Sequence, residues 1–79
     1  MRVRLRFFAS LRERMGPRAE RTLPAGTTVG ALWREIVAQQ PDLERLQVRF
    51  AVNETYVEAS HRLTDGDEVA FFPPVSGGA

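Results

Sequence analysis

Arginine and apolar residues alternate strictly at the start of the chain. From residue 2 to residue 7, every even position is Arg and every odd position is Val, Leu or Phe. This period of two predicts a strand over residues 2–8 with one buried face and one exposed face. Phe8 would then point to the exposed face with the arginines. The sheet that contains this strand therefore needs a covering layer on one side only.

A single substantial helix is predicted to provide that layer. Thr27 or Thr28 can cap its start, and Pro41 ends it at about Gln40. Between these limits apolar residues recur at a spacing of three and four, as the buried face of a helix requires, at Val29, Leu32, Ile36 and Val37.

Four further strands are predicted, at residues 19–23, 48–52, 56–57 and 68–72. Residues 10–15 are too short for an independently stable helix and predict a helical turn or a loop, as do residues 42–47. The order is β-β-α-β-β-β, with the first two strands paired as a hairpin. It favours an α+β fold of the β-grasp (ubiquitin-like) layout, a mixed sheet of four to five strands with one main helix on one face. We expect the domain to span residues 1–75 and a flexible Gly-Gly tail to span residues 76–79.

The composition limits the function classes. A chain of 79 residues forms one domain. The absence of Cys and of a long apolar run favours a soluble cytoplasmic protein without a disulfide framework, leader or membrane span. All eleven basic residues are Arg, which suits ion-pair networks and interfaces or reflects genomic base composition. Without Lys, the chain could only be the donor in isopeptide chemistry.

Side-chain catalysis is not indicated. The chain has one His and no glycine-rich phosphate loop, and no spacing typical of a metal site. We interpret His61 as a solvated loop residue. Asp65, Asp67 and Glu68 could be read as a cation site, but acids around a β-turn favour turn chemistry and a solvated rim.

Ten acidic residues offset the arginines, so we expect no nucleic-acid partner. The arginines of the first third, among them Arg12, are more typical of a surface that recruits an acidic protein.

Three aromatic residues are predicted to share the uncovered face of the sheet: Phe8, Tyr56 and Phe72. Isolated aromatic side chains on a surface are common and do not by themselves indicate a function. Rings framed by Arg are instead typical of a docking surface for a partner protein.

The end of the chain combines two prolines, which restrict the backbone, with two glycines, which have no side chains. Pro73 and Pro74 cannot extend the sheet, so the strand ends at Phe72. Gly77 and Gly78 lack side chains, so the tail could enter a narrow enzyme channel, although a frayed terminus would have the same appearance.

Three segments resemble the small subunit of molybdopterin synthase, a family of sulfur carriers related to the thiamine sulfur carrier and to ubiquitin. These segments are RFFASLRE at residues 6–13, AVNE at 51–54 and LTDGDEVAFFPPVSGG at 63–78. The resemblance covers the whole chain. It implies a sulfur-donating co-substrate with no bound cofactor and no side-chain active site, working in the cytoplasm within a heterotetramer.

The resemblance also implies partners and roles. An E1-like enzyme would use ATP to adenylate the carboxyl of Gly78, and a sulfur donor would convert it to a thiocarboxylate, with Gly77 giving clearance. The large synthase subunit would then receive the tail and pass the sulfur to a cyclic pterin precursor of the molybdenum cofactor. The resemblance implies that Phe8, Tyr56 and Phe72 form the docking face. We predict that Arg12, Pro73 and Pro74 also bind the partner.

Ala79 departs from the family pattern, which ends at Gly-Gly. Ala79 could be removed by a protease to expose Gly78, could be the stub of a longer or fused chain, or could itself be the terminus. We expect it to be lost before activation. Two other readings stay open, a sulfur carrier for tRNA thiolation or thiamine synthesis and an interaction module without tail chemistry.

Overall fold

The computed structural model of the chain describes residues 1–74. Its elements follow the predicted order, and every strand begins and ends within one residue of its prediction. They are β1 (Arg2–Phe7), α1 (Ala9–Met15), β2 (Arg18–Thr22), α2 (Val29–Gln39), a 3-10 helix (Pro41–Arg45), β3 (Arg49–Val52), β4 (Thr55–Val57) and β5 (Glu68–Phe72). The predicted tail, residues 76–79, lies outside the described residues.

The five strands form one mixed sheet in the order β2-β1-β5-β3-β4. Strands β1 and β5 pair in parallel at its centre, and every other pair is antiparallel. The chain returns from β2 through α2, which packs on one face of the sheet. This arrangement confirms the α+β, β-grasp prediction.

The core lies between α2 and the inner face of the sheet. Phe71 is fully buried at its centre. Its ring centroid lies 5.4 Å from those of Phe7 and Trp33 and 5.8 Å from that of Phe50. Val69 is also buried and Phe72 points to the other face, as the alternation predicts. The aromatic contacts fix β1, β3, β5 and α2 against each other.

The start of α2 is attached to the segment between β4 and β5. The hydroxyl of Thr28 accepts a hydrogen bond from the Ala31 N–H at 3.1 Å, which confirms one of the two predicted caps. The Val29 N–H donates to the His61 carbonyl at 2.9 Å, and the Gly30 N–H donates to the Ala59 carbonyl at 2.8 Å. A glycine at position 30 allows this close approach.

Helix α1 confirms the helical alternative for residues 10–15, makes it longer than the single turn predicted, and excludes the loop. Its seven residues would be unstable alone, but Leu11 is fully buried in the core. Arg14 donates a hydrogen bond to the side chain of Gln40 at 2.9 Å and forms an ion pair with Asp42. Tertiary contacts therefore hold a helix that local propensity does not.

Asp67 corrects the prediction of a solvated acidic rim, because it is only 7% exposed. Its carboxylate accepts hydrogen bonds from the Asn53 amide at 2.9 Å, the Thr64 N–H at 2.8 Å and the Thr64 hydroxyl at 3.1 Å. Burial by itself would raise the pKa of Asp67. The hydrogen bonds and the electrostatic influence of His61 outweigh it and hold that pKa below its ordinary value of 3.8. The carboxylate locks the β3–β4 turn to the start of β5.

Within residues 1–74, no cluster of three or more His, Cys, Asp or Glu is placed to hold a metal ion. No helix in this part of the chain is long and apolar enough to cross a membrane.

Candidate functional site

The sheet has an outer face that α2 does not cover. Strand register places one row of side chains across this face, in the order Arg6, Ala70, Ala51, Tyr56. The two alanines in the middle of the row have small side chains and form a shallow floor. Larger side chains lie on either side of it.

Three rings meet beside this floor, and we call Phe8, Tyr56 and Phe72 the aromatic surface. The rings of Phe8 and Phe72 are stacked with centroids 4.5 Å apart, and the Tyr56 ring lies 5.8 Å from Phe72. Tyr56 is 65% exposed, whereas the other two are half-buried. The structure thus brings together the three residues that alternation placed on the uncovered face.

The end of β1 positions Phe8. Its N–H donates to the Phe71 carbonyl at 3.3 Å, and its own carbonyl accepts from the N–H groups of Leu11 and Arg12 at the start of α1. Ala9 has a φ of 52°, which turns the chain sharply out of the strand. This turn places Arg12, an exposed residue, one helical turn after Phe8.

Positive charge borders the rings on two sides. The Arg6 guanidinium carbon lies 5.1 Å from the centroid of the Phe8 ring, within the range of a cation–π contact. Arg49, an exposed residue, lies opposite Phe72 in the register of β3 and β5. The sequence did not single out Arg49 or the two alanines, although alternation along β3 and β5 would have placed them on this face.

The chain leaves the sheet beside the aromatic surface. Pro73 and Pro74 follow Phe72 directly and line a groove together with Tyr56 and Arg49. Five of the six predicted docking residues are therefore contiguous, and Arg12 follows one helical turn after Phe8. The predicted reactive residues, Gly77 and Gly78, lie outside the described residues.

The other candidate residues do not join this site. His61 is exposed in the segment between β4 and β5, as predicted. Asp65 accepts a hydrogen bond from the Arg2 N–H at 2.7 Å, and Glu68 forms an ion pair with Arg6 at 3.9 Å. Asp65 therefore stabilises the turn before β5, and Glu68 pairs with Arg6 across β5 and β1.

Comparison with known proteins gives the surface a context. The model of the ThiS family matches residues 5–78. The molybdopterin synthase sulfur carrier subunit of Escherichia coli is 45% identical over 80 residues, which cover 96% of this chain and 99% of that protein.

Two solved structures are also similar. The putative molybdopterin converting factor, subunit 1, from Pyrococcus furiosus has a TM-score of 0.83 and 32% identity, covering 95% of this chain and 99% of that one. A protein–protein complex of subunits 1 and 2 of molybdopterin-converting factor from Helicobacter pylori contains a chain with a TM-score of 0.68 and 25% identity, covering 99% of this chain and all of that one.

The family match reaches from β1 to Gly78, and the relative from Escherichia coli aligns over nearly its whole length. The chain belongs to the ThiS family and, within it, to the molybdopterin synthase sulfur carrier subunits.

Proposed function

We propose that this chain carries sulfur on the carboxyl of Gly78 and donates it as the small subunit of molybdopterin synthase. One observation supports this above all. The aromatic surface lies where β5 ends at Phe72, so a partner bound to it stands at the root of the Pro-Pro-Val-Ser-Gly-Gly segment. In this proposal the surface that binds the partner therefore adjoins the start of the segment that carries the sulfur.

The chemistry is carried by the main chain. Hydrolysis of the Gly78–Ala79 peptide bond first frees the Gly78 carboxylate. An E1-like enzyme then joins this carboxylate to the α-phosphate of ATP and releases pyrophosphate. Sulfur at the level of sulfide, delivered by a donor, then attacks the carbonyl carbon, and the bond to AMP breaks to leave a thiocarboxylate. The chain binds no cofactor in this scheme, because the activating enzyme uses the ATP.

The fold contributes positioning. Phe8, Tyr56 and Phe72 offer rigid apolar area at small entropic cost, with Arg12 at the border for a carboxylate of the partner. Pro73 and Pro74 restrict the backbone directly after β5, because each proline fixes its own φ and has no N–H to extend the sheet. Gly77 keeps the tail thin next to the reacting carbonyl.

The partners in this proposal are the large synthase subunit, the E1-like enzyme and the sulfur donor. The complex of subunits 1 and 2 from Helicobacter pylori supports the first of these. We place the protein in the cytoplasm, which is consistent with a chain free of Cys. We also place it in a heterotetramer. Neither a nucleic acid nor a membrane is required.

The test is the intact mass of the chain ending at Gly78, from which Ala79 has been removed, after incubation with the E1-like enzyme, ATP and a sulfur source. We expect a species heavier by the exchange of one oxygen for sulfur, assigned to Gly78 by fragmentation. A variant lacking residues 77–79 should keep its fold and stay unmodified. A chain ending at Gly78 that never gains sulfur under these conditions would contradict the carrier function.

A further inference from the structure

The half of the outer face formed by β1 and β2 is rich in arginine. Residues at even positions of both strands point to this face, because β1 alternates and β2 pairs with it in antiparallel register. Four arginines lie here, and we call them the arginine stripe. They are Arg2, Arg4, Arg6 and Arg18.

Among residues 1–74, only two carboxylates share this part of the face. Glu20 forms an ion pair with Arg2 at 3.3 Å, and Glu68 forms one with Arg6 at 3.9 Å. Arg4 lies beside both acids in the strand register, yet each acid pairs with another arginine. Within residues 1–74, neither Arg4 nor Arg18 has a carboxylate within 4.0 Å. The stripe therefore presents two excess charges to its surroundings.

The register makes this excess costly to the free protein. Arg6 and Arg18 are direct cross-strand partners, so their side chains leave the sheet about 5 Å apart on the same face. Like charges in this position destabilise a sheet. A bound anion between them would remove the repulsion, whereas folding alone gives no reason to place a second arginine opposite the first.

The stripe is continuous with the aromatic surface. Arg6 belongs to both, because its guanidinium lies over the Phe8 ring while its strand neighbours are Arg4 and Arg18. A protein that covers Phe8 and Phe72 would thus reach the stripe with its next residues. One interface can include both features.

We propose that Arg4 and Arg18 bind carboxylates of the large synthase subunit, next to the point where that subunit covers the aromatic surface. This inference rests on the proposed function and adds the charge of the partner surface to it. Arg forms planar, bidentate pairs with carboxylates, which suits two discrete acidic side chains. A nucleic acid fits less well, because Glu20 and Glu68 interrupt the stripe and the whole chain carries a net charge of only +1.

The experiment compares the rate of association of the purified large subunit with wild-type protein and with the double variant Arg4→Gln/Arg18→Gln. At about 20 mM salt we expect association to be threefold to tenfold slower for the variant, and at about 500 mM salt we expect the two rates to converge. The melting temperature of the single variant Arg18→Gln should stay the same or rise, because this change removes the like-charge pair with Arg6. A purely structural role for the arginines would lower it instead.

Arg34→Gln/Arg45→Gln is the control matched in charge, since Arg34 is exposed on α2 and Arg45 is exposed on the 3-10 helix. If Arg4→Gln/Arg18→Gln associates as fast as this control, the stripe does not bind the large subunit and only this inference fails. If wild-type protein does not bind the large subunit at all, the proposed function fails with it. Retention of an RNA oligonucleotide by wild-type protein at about 150 mM salt, abolished in the double variant, would assign the stripe to nucleic acid and overturn the inference.

Discussion

The rings of Phe8 and Phe72 are stacked on the outer face of the sheet, with centroids 4.5 Å apart and planes 14° apart. One ring follows the first strand and the other ends the last strand, so the parallel pairing of β1 and β5 creates the contact. The stack is therefore a product of topology, and it lies where the chain leaves the domain toward its tail.

Replacement of Phe72 by Ala should weaken binding of the large synthase subunit by tenfold or more, since central aromatic anchors dominate interface energies. The free energy of unfolding should fall by only about 1 to 2 kcal/mol, because the ring is half-buried. Titration calorimetry and urea unfolding measure the two effects. Phe72→Leu is the control that keeps apolar area without the stacking. Unchanged affinity in Phe72→Ala would remove the aromatic surface from the interface.

Replacement of Glu54 by Gly should stabilise the protein. The two-residue loop between β3 and β4 has positive φ at both positions, 49° at Asn53 and 71° at Glu54, which is the geometry that favours Asn-Gly. Relief of the left-handed conformation should raise the free energy of unfolding by about 0.5 to 1 kcal/mol in urea denaturation. Glu54→Ala removes the same carboxylate but keeps the backbone strain, so it should give no gain. An equal gain in both variants would mean that charge, not backbone conformation, limits stability here.

Replacement of Gly30 by Ala should destabilise the protein although Ala is the better helix former. A Cβ at position 30 would lie 2.9 Å from the Cβ of Ala59 and 3.0 Å from its carbonyl oxygen. Separation of α2 from the segment between β4 and β5 should cost about 1 to 3 kcal/mol, visible as a lower melting temperature. The double variant Gly30→Ala/Ala59→Gly removes the side-chain contact and should recover part of the loss. No recovery would place the whole clash on the carbonyl.

Much of this fold follows from the sequence. Strict alternation fixes which face of β1 is buried, and the same rule places Phe8, Tyr56 and Phe72 on the uncovered face. For α1 the sequence predicted only a helical turn or a loop, because Leu11 and Arg14 stabilise the longer helix through distant partners. The opposition of Arg6 and Arg18 depends on the hairpin register, which the long connection through α1 does not reveal.

Asp67 was misjudged for a related reason. A carboxylate next to Gly66 is typical of an exposed turn, and only the tertiary approach of Asn53 makes its burial favourable. The residues around Asp67 do not reveal that Asn53 will lie beside it. The charge of Asp67 therefore led to the prediction that its side chain is exposed to solvent.

The pH dependence of stability should report Asp67. The folded-state pKa lies below the ordinary value of 3.8, so the unfolded chain binds more protons between these two values and stability rises with pH there. The contribution is complete above pH 3.8 and is lost as the pH falls through the folded-state pKa. Replacement of Asp67 by Ala should cost about 1 to 3 kcal/mol at pH 7, because the Thr64 and Asn53 donors lose their acceptor.

Urea unfolding from pH 7 to pH 2 checks this prediction. The difference between wild type and Asp67→Ala should shrink below pH 3.8. Glu58→Ala, a change at an exposed acid, should follow the wild type across the range. A difference that stays constant down to the lowest pH would show that Asp67 stabilises the fold without titrating.

Ala79 should decide whether the chain can be activated. The family match ends at Gly78, and a thiocarboxylate on that residue requires the Gly78–Ala79 bond to be cut first. A methyl group in a channel shaped for glycine should cost about 1 to 3 kcal/mol. We therefore expect the E1-like enzyme to release pyrophosphate at least tenfold faster with a chain ending at Gly78 than with the chain ending at Ala79.

A chain ending at residue 78 with Gly78→Ala separates the effect of the added length from the effect of the methyl group, because it has the favoured length and the unfavourable methyl. If that variant and the chain ending at Ala79 are both slow, the methyl is responsible. If the chain ending at Ala79 is activated as fast as the chain ending at Gly78, the reactive carboxyl is not restricted to Gly78, and sulfur would be carried on Ala79.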